Sequence, residues 1–122
     1  MKYLCLVYID EKVLDAMPER EYDALCDAAI ASDESLRRSG HYVGSNALRS
    51  VRTATSLRVR DGKLSVTDGP FAETKEHLGG YILIEAADLG EAIDLAAKCP
   101  MAAIGTIEVR PVRVDLREGM RG

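Results

Sequence analysis

A chain of 122 residues that is 47% hydrophobic and carries a formal charge of -4 has room for one domain, spanning 1–122, with a modest core. Charges of both signs are interspersed, so no basic stripe tracks a phosphate backbone, and nucleic acid is not expected as a partner. Cys5, Cys26 and Cys99 form no Cys-x-x-Cys pair, which predicts buried, reduced thiols in place of a disulfide framework or a zinc knuckle.

The opening run from Met1 to Ile9 is apolar, but it is too short to span a bilayer and lacks a small-residue cleavage pattern. It predicts a strand of a cytoplasmic protein with no membrane partner. Tyr3, Cys5, Val7 and Ile9 fall on one face, and Leu4, Leu6 and Tyr8 on the other. A strand apolar on both faces needs two covers. Two helices naturally share one face of a sheet, so the second cover is expected from another subunit, and the chain is expected to be a homodimer.

Pro18 to Arg38 predicts the first helix, with Pro18 in the first turn, Glu19 and Glu21 favouring the positive end of the helix dipole, and Gly40 ending it. Its apolar stripe is Tyr22, Leu25, Cys26, Ala29 and Leu36. Asp33 falls inside that stripe. Two accounts fit: the C-terminal half of the helix lifts from the sheet and leaves Asp33 wet or paired with an arginine, or Asp33 borders a pocket. His41 follows as a strand-edge residue with nothing nearby in sequence to orient its ring. The strand through Tyr42 then leads to a polar link containing Arg49 and Arg52.

Asp61-Gly62 separates Thr55–Arg60 from Lys63–Asp68, the pattern of a type I′ hairpin. A two-residue loop fixes the register, pairing Val59 with Leu64, Leu57 with Val66 and Thr55 with Asp68 on one face. Asp68 therefore stands on the inward face, where the apolar ladder stops. An aspartate before Gly-Pro can serve as a turn former through a local hydrogen bond, or as a pocket carboxylate doing acid or base work. Pro70 is expected to push Gly69 toward extended geometry and to aim Phe71, the single phenylalanine, back toward the core as an anchor. Glu73, Lys75 and Glu76 either supply charge to the same site or form a solvated loop.

Gly79-Gly80 lets backbones approach closely, and Tyr81–Ile84 is a second strand apolar on both faces. Asp88 and Glu91 resemble a capping box for a second helix with a stripe of Leu89, Ala92, Ile93, Ala96 and Ala97, stopped by Pro100. Thr106 to Val114 is the last strand, and Leu116 to Gly122 a frayed tail. Arg110 is expected either to neutralise an anionic ligand or to pair with Asp33 or Asp68. The two histidines lie 36 positions apart and give no metal-ligand spacing, so no metal or other cofactor is expected.

The order β, α, β, hairpin, β, α, β is that of an α+β, ferredoxin-like split βαβ domain with an inserted β-hairpin. Asp68-Gly69-Pro70-Phe71, followed by Ala72-Glu73-Thr74-Lys75-Glu76 and Gly79-Gly80-Tyr81, resembles the signature of the DGPF branch of the YCII-related proteins. Cys99-Pro100 and Glu108-Val109-Arg110-Pro111 extend the resemblance over nearly the whole chain. The resemblance implies a domain that pairs into a dimeric α/β barrel. It also implies small-molecule enzymology, and genes of the branch often lie beside those of extracytoplasmic-function sigma factors. A mechanism built on His77 would not transfer across such a family, in which the position varies.

Two functions follow. One is a small-molecule protein with proton-transfer chemistry (isomerisation, elimination or hydrolysis), with Asp68 and Asp33 as catalytic carboxylates and Phe71, Glu73, Lys75 and Arg110 as ligand contacts. The other is a non-catalytic ligand-sensing or protein-interaction module linked to sigma-factor regulation. Fold alone does not choose.

Overall fold

The computed structural model describes residues 1–119. It is an α+β arrangement of six strands and three α-helices, in two antiparallel sheets with no closed barrel. In chain order the elements are β1 (Lys2–Ile9), α1 (Glu11–Asp15), α2 (Glu19–Arg38), β2 (Tyr42–Ala47), β3 (Thr55–Arg60), β4 (Lys63–Asp68), β5 (His77–Glu85), α3 (Leu89–Ala96) and β6 (Thr106–Pro111). Single 3-10 turns occupy Val51–Thr53 and Pro100–Ala103. No helix among the described residues is long and apolar enough to cross a membrane.

The main sheet has the order β2-β5-β1-β6, so the apolar strand β1 is central. Tyr3, Cys5 and Ile84 form one core cluster with Leu36 of α2 and with Ala92, Leu95 and Ala96 of α3. Leu14 of α1 shares a cavity wall with Val7 and Ile9, so all three helices lie on this face. The other face carries Leu4 opposite Leu83, and Leu6 opposite Tyr81, all half-buried by their sheet neighbours alone.

At Gly80 the backbone of β2 lies against β5 with no room for a side chain: a Cβ there would lie 2.8 Å from the Asn46 carbonyl oxygen. Here the glycine pair does what close backbone packing requires. Asp88 caps α3 by accepting from the Glu91 N–H at 2.9 Å, as expected for a cap residue. The buried side of α3 is Ala92, Leu95 and Ala96, whereas Leu89 and Ile93 are each half exposed, so the apolar stripe is rotated from its expected position. The residues that face the sheet are two alanines and Leu95.

α2 touches the sheet with its C-terminal end. Leu36 is its single buried residue, while Tyr22 and Ile30 are exposed, so it is the N-terminal half that lifts away. The hairpin has the expected register, with Thr55 opposite Asp68 and Val59 opposite Leu64, and positive φ at both Asp61 and Gly62 completes the I′ turn. It forms a sheet of its own, with Leu57, Val59, Leu64 and Val66 each more than half exposed. The tail residues 120–122 lie outside the described residues. Within the tail, Arg117 and Glu118 donate their N–H groups to the Asp115 carboxylate, and Arg113 reaches the Leu116 carbonyl.

Candidate functional site

Because α2 lifts at its N-terminal half, a cavity of about 580 Å³ opens between it and the sheet. Val7, Ile9 and Ile82 of the sheet form the floor, Leu14 of α1 and Tyr22, Ala29 and Ile30 of α2 form the walls, and Ala47, Leu48 and Met101 close the sides. Its size and apolar walls with a few polar groups are those of small-molecule sites, which span roughly 300–1,000 Å³.

Two polar poles stand in this apolar wall. At one, Asp33 faces β2 across the gap left by the helix, and its Oδ2 accepts from Ser45 Oγ at 3.0 Å. Ser45 Oγ in turn lies 2.7 Å from the Tyr42 hydroxyl. The Tyr42 ring is covered by the Arg37 guanidinium, 4.2 Å from its centroid. Cys99 lines the cavity as well; burial, and after it the Asp33 carboxylate, raises its thiol above the ordinary value.

At the other pole Glu11 opens α1, directly after Asp10 has capped that helix through the Lys12 N–H. Its Oε1 accepts from the Val51 N–H at 2.6 Å and its Oε2 from Ser50 Oγ at 2.8 Å. These two bonds, the Val51 bond first, hold the Glu11 carboxyl below its ordinary value, and Arg52 and His77 add to the effect. Arg52 and Asp15 stand at the rim. His77 is paired with Ile9 at the start of β5, and its Nε2 is buried with no hydrogen-bond partner.

Asp33 is thus the one sequence-predicted site residue on the cavity. Asp68 is exposed at the end of β4, and its carboxylate takes no hydrogen bond among the described residues; the face expected to be inward is exposed along its length. Gly69 has φ of +97°, a conformation glycine adopts freely, so the chain leaves Asp68 by a glycine turn and not by extended backbone. Phe71 is 81% exposed and does not return to the core. Glu73 and Lys75 are exposed in the same loop, whereas Glu76 is held by the Thr106 hydroxyl at 2.8 Å. Arg110 is opposite Leu4, on the face of the sheet away from Asp33, and pairs with neither Asp33 nor Asp68. His41 sits beside Glu91 at 3.3 Å, outside the cavity.

Glu11, Ser45, Ser50 and Arg52 escape a sequence reading. An Asp followed by Glu-Lys-Val-Leu directly after an apolar strand is a short-helix start, and that signal points to Glu11. Nothing local links Glu11 to Ser50, 39 positions away.

The profile of the YCII-related domain matches residues 1–114. An uncharacterised protein of Rhizobium meliloti (strain 1021) is 37% identical over 114 residues, 92% of each chain.

Proposed function

The chain belongs to the YCII-related family, and from that premise we propose that it binds a small molecule in the cavity beneath α2 and uses Asp33 to move a proton on it. The observation that carries this reading is Asp33 itself, a carboxylate in an apolar wall with one oxygen engaged by Ser45 and the other free of hydrogen bonds among the described residues. The free Oδ1 takes a proton from a C–H of the ligand while the Ser45 hydroxyl, donating to Oδ2, fixes the orientation of the carboxylate. Returning that proton to another atom is isomerisation; losing a leaving group with it is elimination. Taking the proton instead from a water, whose oxygen bonds to the ligand while the leaving group departs with that proton, is hydrolysis.

The test is an NMR titration with a library of small organic compounds, read at the amides of Asp33, Ser45, Ser50 and Gly79. Binders are expected to shift these amides, and Ile30→Trp, which fills the cavity mouth, is expected to abolish the shifts. A bound ligand should exchange a C–H proton with deuterated water in the parent and not in Asp33→Asn. Compounds that move only hairpin amides would overturn the cavity reading.

We further infer a homodimer in which the ferredoxin-like domain pairs through its sheet into a dimeric α/β barrel of the DGPF branch. The order β2-β5-β1-β6 and the half-buried Leu4, Leu6 and Leu83, on a face without helices, support it. Asp68, Phe71, Glu73, Lys75 and Arg110 keep a ligand role in this reading through a second copy. Such an interface buries at least roughly 1,200 Å². A monomer by light scattering at low micromolar concentration would remove it. Free thiols at Cys5, Cys26 and Cys99 support a cytoplasmic setting.

One observation favours the alternative of a non-catalytic sensing or protein-interaction module: Leu57, Val59, Leu64, Val66 and Phe71 expose an apolar surface on a projecting hairpin. Charge substitutions there should leave cavity binding intact and abolish any regulatory association, such as one with a sigma factor.

A further inference from the structure

We propose that the molecule held beneath α2 is a compact amine, with an apolar body in the cavity and an ammonium group against Asp33. This rests on the small-molecule reading above and adds the charge class of the ligand. The apolar walls admit a hydrocarbon or aromatic body, and the charged groups on the cavity are three carboxylates, Glu11, Asp15 and Asp33, against one guanidinium, Arg52. That lining repels an anion.

The two poles differ in what they lack. Glu11 already has two hydrogen-bond donors and the nearby positive charge of Arg52. Asp33 has one neutral donor, Ser45, and no cationic group within ion-pair distance among the described residues. Arg37, one helical turn further on, is drawn to the face of Tyr42. The thiol beside Asp33 is Cys99, which burial keeps protonated. A part-buried carboxylate in an apolar wall is ordinarily matched by a cation, and the chain supplies none here. A ligand ammonium completes the pair by donating an N–H to Oδ1, whose second lone pair stays open to the adjacent C–H, while Ser45 keeps Oδ2 in place.

The probes are phenethylamine, its neutral counterpart 2-phenylethanol and its anionic counterpart 3-phenylpropionate, titrated at neutral pH into uniformly labelled protein and followed at the Asp33 and Ser45 amides. The amine is expected to bind tighter than either counterpart by roughly tenfold or more, the scale of a hydrogen bond to a charged group. Asp33→Asn should abolish that preference, bringing the affinity for the amine to within about twofold of that for the alcohol. Equal or tighter cavity binding of the alcohol or the carboxylate to the parent overturns the amine assignment and leaves the small-molecule reading standing; an unchanged preference in Asp33→Asn does the same. If none of the three probes, and no member of the compound library, moves the cavity amides, the small-molecule reading fails and the amine assignment with it. The comparison of probes needs only the parent protein, so it holds whether or not the variant folds.

Discussion

The four-stranded sheet and the hairpin β3–β4 are both antiparallel, both rich in β-branched and aliphatic residues, and both in a register set by local turn and strand patterns. In the sheet, Cys5 and Ile84 are each 1% exposed, whereas in the hairpin Leu64 is 65% exposed. Pairing is a local property, decided by two strands and a turn, but burial needs a third party. α2 and α3 provide it for one face of the sheet, and no element among the described residues buries the hairpin's apolar side chains.

Truncation reads that difference most directly. Ile84→Ala should cost about 2–5 kcal/mol in urea unfolding, the range for removing a fully buried aliphatic side chain. Leu64→Ala should cost less than about 0.5 kcal/mol if the hairpin stays in water. A loss approaching that of Ile84→Ala, growing with protein concentration, would break the comparison by showing the hairpin covered by a second copy.

Glycines sharpen it next. Gly80→Ala places a Cβ 2.8 Å from the Asn46 oxygen and 3.3 Å from the Ala47 Cα, so β2 must move away from β5; a cost of about 1–3 kcal/mol is expected. Gly62 in the hairpin meets nothing within 4 Å, but its φ is +73°. Gly62→Ala should therefore cost about 1 kcal/mol through backbone strain alone. Amide shifts in the first variant should spread through β2 and the cavity, and in the second should stop at the turn.

Much of this was legible in the sequence because it is written locally. Asp61-Gly62 gave the hairpin and its register, Asp88 the start of α3, and the doubly apolar Lys2–Ile9 a central strand. Asp33 in the apolar stripe of α2 gave one of two accounts, and the cavity matches the one that made it a pocket residue. What was not legible is how elements sit on one another. Which half of α2 lifts depends on how the helix meets β2 and the 3-10 turn at Pro100–Ala103, and no periodicity encodes that. An inward Phe71 and Asp68 require the apolar ladder of the hairpin to have an inside. Among the described residues the hairpin has none.

Alkaline pH separates the two regions by their thiols. Burial, and then the neighbouring Cys99, raises the Cys5 thiol from 9.0 to about 11. A raised value in the folded state means that the folded chain holds its proton longer than the unfolded one, so the contribution is intact below 9.0 and is lost as pH rises toward about 11. The urea midpoint should fall across that window, and Cys5→Ala should flatten the slope. The hairpin contains no thiol, so Leu64→Ala should leave the slope unchanged.

The smallest expected effect on stability belongs to Asp68→Asn, which removes the charge and keeps the shape and turn-forming capacity of the side chain. Asp68 is exposed and without a hydrogen bond among the described residues, so melting should shift by less than about 0.5 kcal/mol. The informative readout is the cavity. Within one chain Asp68 and the Asp33 cavity belong to separate regions, so the substitution should leave cavity binding as it is in a monomer at low concentration. If binding instead weakens only where the protein self-associates, Asp68 reaches the cavity of a second copy, and the exposed face of the hairpin is covered in the working assembly. Binding that is indifferent to Asp68 at every concentration would leave Asp33 as the one carboxylate of the predicted pair that acts on the ligand.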